Sequence, residues 1–211
     1  MKIISYSILG LLVIAFDSMV LKAAELSAST SESPWQQSYI LEAKGDYEGA
    51  ASTLINYVDN KESSEMAWLR QGWLHYLQGN YNDSINSYKS AWKKNKYSLD
   101  ARLGLTLPLM AQNRWKEAAR YAQQVIDMTR WNYTAHVRLL ACKQGLKNWQ
   151  DVNKLAKKLT TRYPSETTPW VYLARARNML GDVDGALTAY RQVLMRDPSN
   201  IEANQFGLIE V

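Results

Sequence analysis

Residues 45–50 read Gly45-Asp46-Tyr47-Glu48-Gly49-Ala50, and 34 residues later the chain reads Gly79-Asn80-Tyr81-Asn82-Asp83-Ser84. The same step leads to Asn113-Arg114-Trp115-Lys116-Glu117-Ala118, then Lys147-Asn148-Trp149-Gln150-Asp151-Val152, then Gly181-Asp182-Val183-Asp184-Gly185-Ala186. The register holds four times without a slip, which chance does not produce. Each copy opens on a turn signal and continues with an aromatic or apolar residue. Gly45, Gly79 and Gly181 suit a helix-ending turn, because left-handed backbone angles cost Gly little. Asn113 is the next-best residue there, and Lys147 is a weaker substitute.

Outward from these turns, apolar residues recur at three and four, the helical period. Ala67 to Leu77 reads as one helix and Ser84 to Trp92 as its partner. Pro164 and Pro198, again 34 apart, close the fourth and fifth copies before the next helix starts. One helical hairpin cannot bury its apolar face alone, whereas stacked hairpins share a continuous core. Residues 201–211 begin a further first helix, with Ile201, Ala203, Phe206 and Ile209 at near-helical spacing. This segment reads as a cap over the fifth copy. Its apolar ending, Leu208-Ile209-Glu210-Val211, leaves a partner contact as the other reading.

The pattern resembles the tetratricopeptide repeat family over roughly residues 31–200. The fifth copy carries Trp170, Leu173, Ala174, Gly181, Ala186, Tyr190 and Pro198 in the family's places, and the second carries Trp68, Gly72, Gly79, Tyr88 and Ala91. The resemblance implies an all-α fold: a right-handed superhelical solenoid of five helix-turn-helix repeats over residues 33–200, with a C-terminal capping helix at 201–211. Departures are local. Ala122 and Ala156 stand where the family prefers an aromatic, and Val125 and Leu159 stand where the second copy has Ala91. Large and small are thereby swapped within one helix, which conserves packed volume. Leu140 takes the place of Gly72 and Ala174, and Pro108 lies inside a first helix, where it is expected to kink it.

The composition is that of an ordinary globular chain: 211 residues, 46% hydrophobic and 21% charged. The start is different. Met1-Lys2 and the uncharged run Ile3 to Phe16 read as a signal peptide over residues 1–23, followed by a polar linker over 24–32. A membrane span wants about 20 residues. The expected localisation is export to the periplasm of a bacterial envelope. The alternative is an uncleaved N-terminal segment anchored in the inner membrane, the one membrane contact the sequence suggests outright.

Chemistry is sparse. One Cys excludes an internal disulfide framework, and two His argue against a His-rich metal centre. No phosphate loop, His-Glu-x-x-His or Gly-x-Ser-x-Gly motif is present. Cys142 and His136 lie six apart, on different helix faces. A non-enzymatic chain without cofactor or metal is expected, and nucleic acid is not an expected partner of an exported protein.

The unusual numbers are eight Trp and thirteen Tyr against two Phe. In the family resembled, the first helices line a concave groove. Carrying those places over gives Trp35 and Tyr39, then Leu69, Trp73 and Tyr76, then Leu103, Leu107 and Met110, with Arg175 and Asn178 in the fifth copy. Trp and Tyr supply large contact area at small entropic cost. The groove is therefore expected to take an apolar or aromatic peptide or helix from a protein partner of the cell envelope. The alternative is a scaffold of polysaccharide export that contacts glycan through the same aromatics. Trp68, Trp115, Trp149 and Trp170 recur at scaffold places and need no functional account. The carboxylate clamp known in part of the family looks absent, since its places hold mainly Trp, Tyr and Leu.

Charge is uneven. Residues 31–64 hold two bases against six acids, net −4, whereas residues 133–166 hold seven against two, net +5. The run Lys154, Lys157, Lys158 and Arg162 reads first as a solvated helix face, with an anionic partner or membrane surface as the alternative.

Overall fold

Five residues 34 apart adopt left-handed backbone angles: Gly45 (φ 80°), Gly79 (77°), Asn113 (57°), Lys147 (57°) and Gly181 (82°). Each ends a helix and starts the reversal into the next. The computed structural model describes residues 33–58 and 64–208. The signal-peptide and linker expectations at 1–32, and Ile209 of the cap, lie outside the described residues.

The first helices of the five repeats are α1 (Pro34–Ala43), α4 (Glu65–Leu77), α6 (Leu99–Ala111), α8 (Tyr133–Gly145) and α10 (Thr167–Met179). Their partners are α2 (Tyr47–Ser52) with α3 (Ile55–Val58), then α5 (Tyr81–Lys94), α7 (Trp115–Met128), α9 (Trp149–Arg162) and α11 (Val183–Leu194). A last helix, α12 (Ile201–Leu208), follows. Short polar side chains start these helices by accepting orphan backbone N–H groups: Ser33, Ser64, Ser98 and Asn132 before first helices, Asp46, Asn148 and Asp182 before second ones. Ser33 and Gln36 cap each other reciprocally, with Pro34 at the first helical position.

Each helix packs on its neighbours in sequence, and consecutive first helices also touch from α4 to α10. Hairpins are therefore stacked in one sense. All turns within repeats lie on one edge and all turns between repeats on the other.

The first repeat departs from expectation, because its second helix is broken at Thr53-Leu54. The Thr53 hydroxyl donates to the Ala50 carbonyl at 2.8 Å, and Leu54 N–H bonds back three residues to Ala51. These local bonds compete with the helical ladder. By contrast α6 runs through buried Pro108 as one helix.

Packing explains the departures in the repeat pattern. The Tyr88 ring is wedged between Gly72 of its own hairpin and Gly104 of the next. A Cβ would come 2.9 Å from the ring at Gly72 and 2.2 Å at Gly104. In the same register Leu140 stands opposite Ala156, and Ala174 opposite Tyr190; all four are buried in one cluster with Val152, Leu159 and Leu173. Bulk lost from one helix of a hairpin is thus returned by the other.

The cap covers the last repeat. Ala203 is buried, and the Phe206 ring lies 4.6 Å from that of Tyr190.

Candidate functional site

Trp35 and Tyr39 lie one turn apart on α1, and Leu69, Arg70 and Trp73 come from α4. Trp35 is half-buried and its ring meets Tyr57 at 5.6 Å. Tyr39 stands out at 58% exposure, with the Arg70 guanidinium 3.9 Å from its ring centre. Met66 adds an exposed thioether at the rim.

A carboxylate organises this group. Glu42 accepts from Arg70 Nη1 and, at 2.7 Å, from Trp73 Nε1. Arg70 Nε donates to the buried Ser38 hydroxyl at 3.1 Å. Arg70 Nη2 is buried and has no hydrogen-bond partner in the chain. Trp73 is thereby pinned, and an aromatic row continues from it to Tyr76 at 5.7 Å and from Tyr76 to Tyr81 at 5.9 Å.

Two recesses flank this group. One of about 330 Å³ is lined by Trp35, Tyr39, Met66, Leu69, Arg70 and Trp73. The other, about 570 Å³, is lined by Tyr39, Glu42, Ala43, Tyr47, Trp73 and Leu77. Tyr39, Arg70 and Trp73 form the ridge between them. A third recess, about 460 Å³, lies between the first two repeats and is lined by Trp68, Gln71 and His75 of α4 and by Ala51 and Ile55.

The remaining expected groove residues divide. Leu103, Leu107 and Met110 on α6 are half-buried, and Met110 and Leu69 pack against Ile85, Leu105, Leu109 and Tyr121. Asn178 is exposed. Arg175 already has a carboxylate: its Nε and Nη2 donate to Glu202 of α12 at 2.8 and 2.5 Å, and Tyr190 OH donates to the same group at 2.6 Å. The structure therefore gathers Trp35, Tyr39, Leu69, Trp73 and Tyr76 at one end. At the other end it engages Arg175 internally.

Sequence reasoning missed Glu42 and Arg70. Glu42 lies three after Tyr39 on the same helix face, but its partners are 28 and 31 residues away, beyond any local pattern.

The electrostatics of the rest are structural. Burial pushes the Cys142 thiol up to about 11, and Cys142 is fully buried, so it behaves as a small apolar side chain. Burial holds His136 below its ordinary value, the Arg130 carbonyl opposes that, and Lys158 adds to the lowering. Among the described residues no cluster of His, Cys, Asp and Glu is fit to hold a metal ion. Among them too, no helix is long and apolar enough to cross a membrane.

Models described as tetratricopeptide repeat match residues 36–98, 69–133 and 170–200. The matched intervals leave out the fourth copy, where Leu140 and Ala156 exchange large for small. A heat shock protein sti1 homolog of Schizosaccharomyces pombe is 31% identical over 88 residues, 42% of this chain and 15% of its own length. Cellulose synthase 1 operon protein C of Komagataeibacter xylinus is 28% identical over 146 residues, 61% of this chain and 11% of its own length. The chain thus matches only a small part of either relative. Among solved structures, MamA from Desulfovibrio magneticus RS-1 superposes with a TM-score of 0.69 at 15% identity, covering 78% of this chain and 93% of that one. YrrB, titled a TPR protein with an unusual peptide-binding site, superposes at 0.67 with 12% identity, covering 87% and 95%.

Proposed function

The chain belongs to the tetratricopeptide repeat family, and from that premise we propose that it is a protein-binding scaffold whose site is the aromatic end of the groove. The fold itself suggests a protein–protein interaction scaffold. The finer reading rests on one observation: an exposed tyrosine, a pinned tryptophan and a buried arginine form a ridge with a recess on each side, walled by aromatic and aliphatic groups with Asp100 in one and Glu42 in the other.

Such a ridge suits a peptide or helix that sets one apolar or aromatic side chain into each recess. The indole and phenol faces supply contact area, and Trp73 enters binding with its orientation already fixed by Glu42, which lowers the ordering cost. Arg70 Nη2 is a donor in want of an acceptor, and Tyr39 covers the guanidinium. We assign no catalytic step to the chain. The proposed setting is an envelope assembly, on the strength of the N-terminal apolar run and nothing more local.

Selection of peptides from a random library on the full-length protein tests this. Enriched sequences should carry two apolar or aromatic residues, and Tyr39→Ala should weaken them by ~2 kcal/mol with the melting temperature unchanged. Binding indifferent to Tyr39 would sink the assignment. The second reading, glycan contact, is favoured by the likeness to the cellulose synthase operon protein. It predicts that soluble oligosaccharides, rather than peptides, protect Tyr39 from chemical modification.

A further inference from the structure

We propose that the edge formed by the turns between repeats docks onto a membrane surface of anionic lipid. The proposal does not rest on the groove reading, although Met66 borders both surfaces, and it departs from the expectation that only the N-terminal segment touches a membrane.

The focus is Trp131, in the turn between α7 and α8. Three cations converge on its indole: Arg130 at 5.5 Å from its own turn, and Lys158 at 4.9 Å and Arg162 at 5.3 Å from α9 of the next repeat. The ion pairs among the described residues are Arg70–Glu42, Arg114–Glu117, Lys143–Asp151, Arg175–Glu202 and Arg177–Asp182. They include none of these three cations. The arrangement recurs along the same edge. Lys96 and Arg102 lie 5.9 and 4.9 Å from Trp92, and Arg196 lies 5.0 Å from Trp170. Lys93 and Lys94 end α5 in exposed positions. Glu65, Asp127 and Asp197 share this edge and accept from the uncharged Asn95, Gln123, Ser199 and Asn200, which leaves their charges in place. Asp100 and Glu166 are exposed. With these carboxylates all counted, the bases named at the edge, Lys93, Lys94, Lys96, Arg102, Arg130, Lys158, Arg162 and Arg196, still outnumber them.

Helix dipoles account for bases at the ends of second helices. They do not account for the apolar residues set between those bases. The four most exposed large hydrophobic side chains of the described residues are Tyr97 (81%), Met195 (75%), Ile201 (72%) and Met66 (65%). All four sit at this edge: Tyr97 between α5 and α6, Met195 after α11, and Ile201 and Met66 at the starts of α12 and α4. A soluble polyanion would neutralise the cations and leave these side chains in water. A bilayer surface receives both. Its headgroups attract Lys and Arg, and the zone beneath accepts Tyr, Trp and Met. Because hairpins stack in one sense, the points of contact fall along one edge of the stack, and the protein rests on a bilayer through that edge.

The test is co-sedimentation of the full-length protein with vesicles of phosphatidylcholine, alone or mixed equally with phosphatidylglycerol. Binding should require the anionic lipid and fall as salt rises. The triple variant Lys94→Glu, Arg130→Glu, Arg162→Glu should lose about tenfold or more. The control Lys44→Glu, Lys116→Glu, Lys147→Glu, with the same charge change on the opposite edge, should lose less than about twofold. Should helicity fall in the first variant, Tyr97→Ser with Met195→Ser supplies the second reading, a loss of binding that persists at high salt. Equal loss in both triple variants overturns the proposal, as does undiminished anionic-vesicle binding by the edge variant, since the N-terminal segment then carries the interaction. Edge-dependent binding of soluble polyphosphate without any binding of vesicles overturns it in favour of an anionic polymer.

Discussion

At the scale of single residues, two backbone positions make opposite predictions. Lys147 holds φ 57° in a turn where three of its four counterparts in the other copies are served by something better than Asn, namely Gly. Lys147→Gly should therefore raise stability by roughly 1 kcal/mol, seen as a higher urea midpoint at unchanged slope. Gly104 is not in a turn, and its need is space. Gly104→Ala would drive a methyl into the Tyr88 ring, which is itself buried against Gly72. A loss of about 1–3 kcal/mol is expected from overpacking, and Tyr88→Leu in the same chain should restore part of it. Glu42→Ala tests the ridge. It would leave the Arg70 guanidinium, 7% exposed, without its counter-ion, and should cost about 3–5 kcal/mol. The turn residues were legible in the sequence because each acts on its own backbone. The Glu42–Arg70–Trp73 group was not, because it exists only where α1 meets α4.

At the scale of elements, the cap is the informative case. Burial pushes the Glu202 carboxyl up, but hydrogen bonds from Arg175 and Tyr190 and the guanidinium charge outweigh it, so the group sits below its ordinary range. A depressed carboxyl contributes stability that is present above its unfolded value, about 4.3, and is lost as pH falls through the folded value. Wild-type protein should thus lose stability on acidification below about pH 4.5 more steeply than Glu202→Gln, as thermal melts across that range would show. Deleting residues 201–211 should lower the melting temperature at every pH, since Tyr190 loses its Phe206 neighbour and Arg175 its carboxylate. The repeat spacing announced this helix as a cap, yet it gave no sign that Arg175 would be claimed by it. The broken second helix of the first repeat was equally hidden, for Thr53 decides it by a bond three residues back.

At the scale of the whole molecule, charge and aromatic content are distributed along the axis of the stack. The first repeat is net −4 and shares the ridge with the second, while the fourth is net +5 and supplies Lys158 and Arg162 beside Trp131. One surface lies on the first helices and the other on the inter-repeat turns, and they adjoin at Met66 and Asp100, which line the recess beside Tyr39. On the two proposals made above, such a scaffold would hold a protein segment and a charged surface at once. Tyr39→Ala should weaken the first without altering vesicle binding, and the edge variant should do the reverse.

The sequence by itself determined the fold. A hairpin of two amphipathic helices repeated at a constant 34 residues can bury its apolar faces only by stacking, and the Gly and Asn residues at the reversals say where each hairpin turns. It also determined that the first copy is acidic and the fourth basic, because composition needs no geometry. Only the tertiary structure decided how the groove aromatics are held, since Tyr39, Trp73 and their polar partners come from two helices. It alone paired Glu42 with Arg70 and Trp73, Arg175 with Glu202, and Gly104 with Tyr88. Each of these joins residues of different helices at distances of 16 to 31 positions. A contact between helices depends on how two surfaces meet, and local spacing carries no record of that.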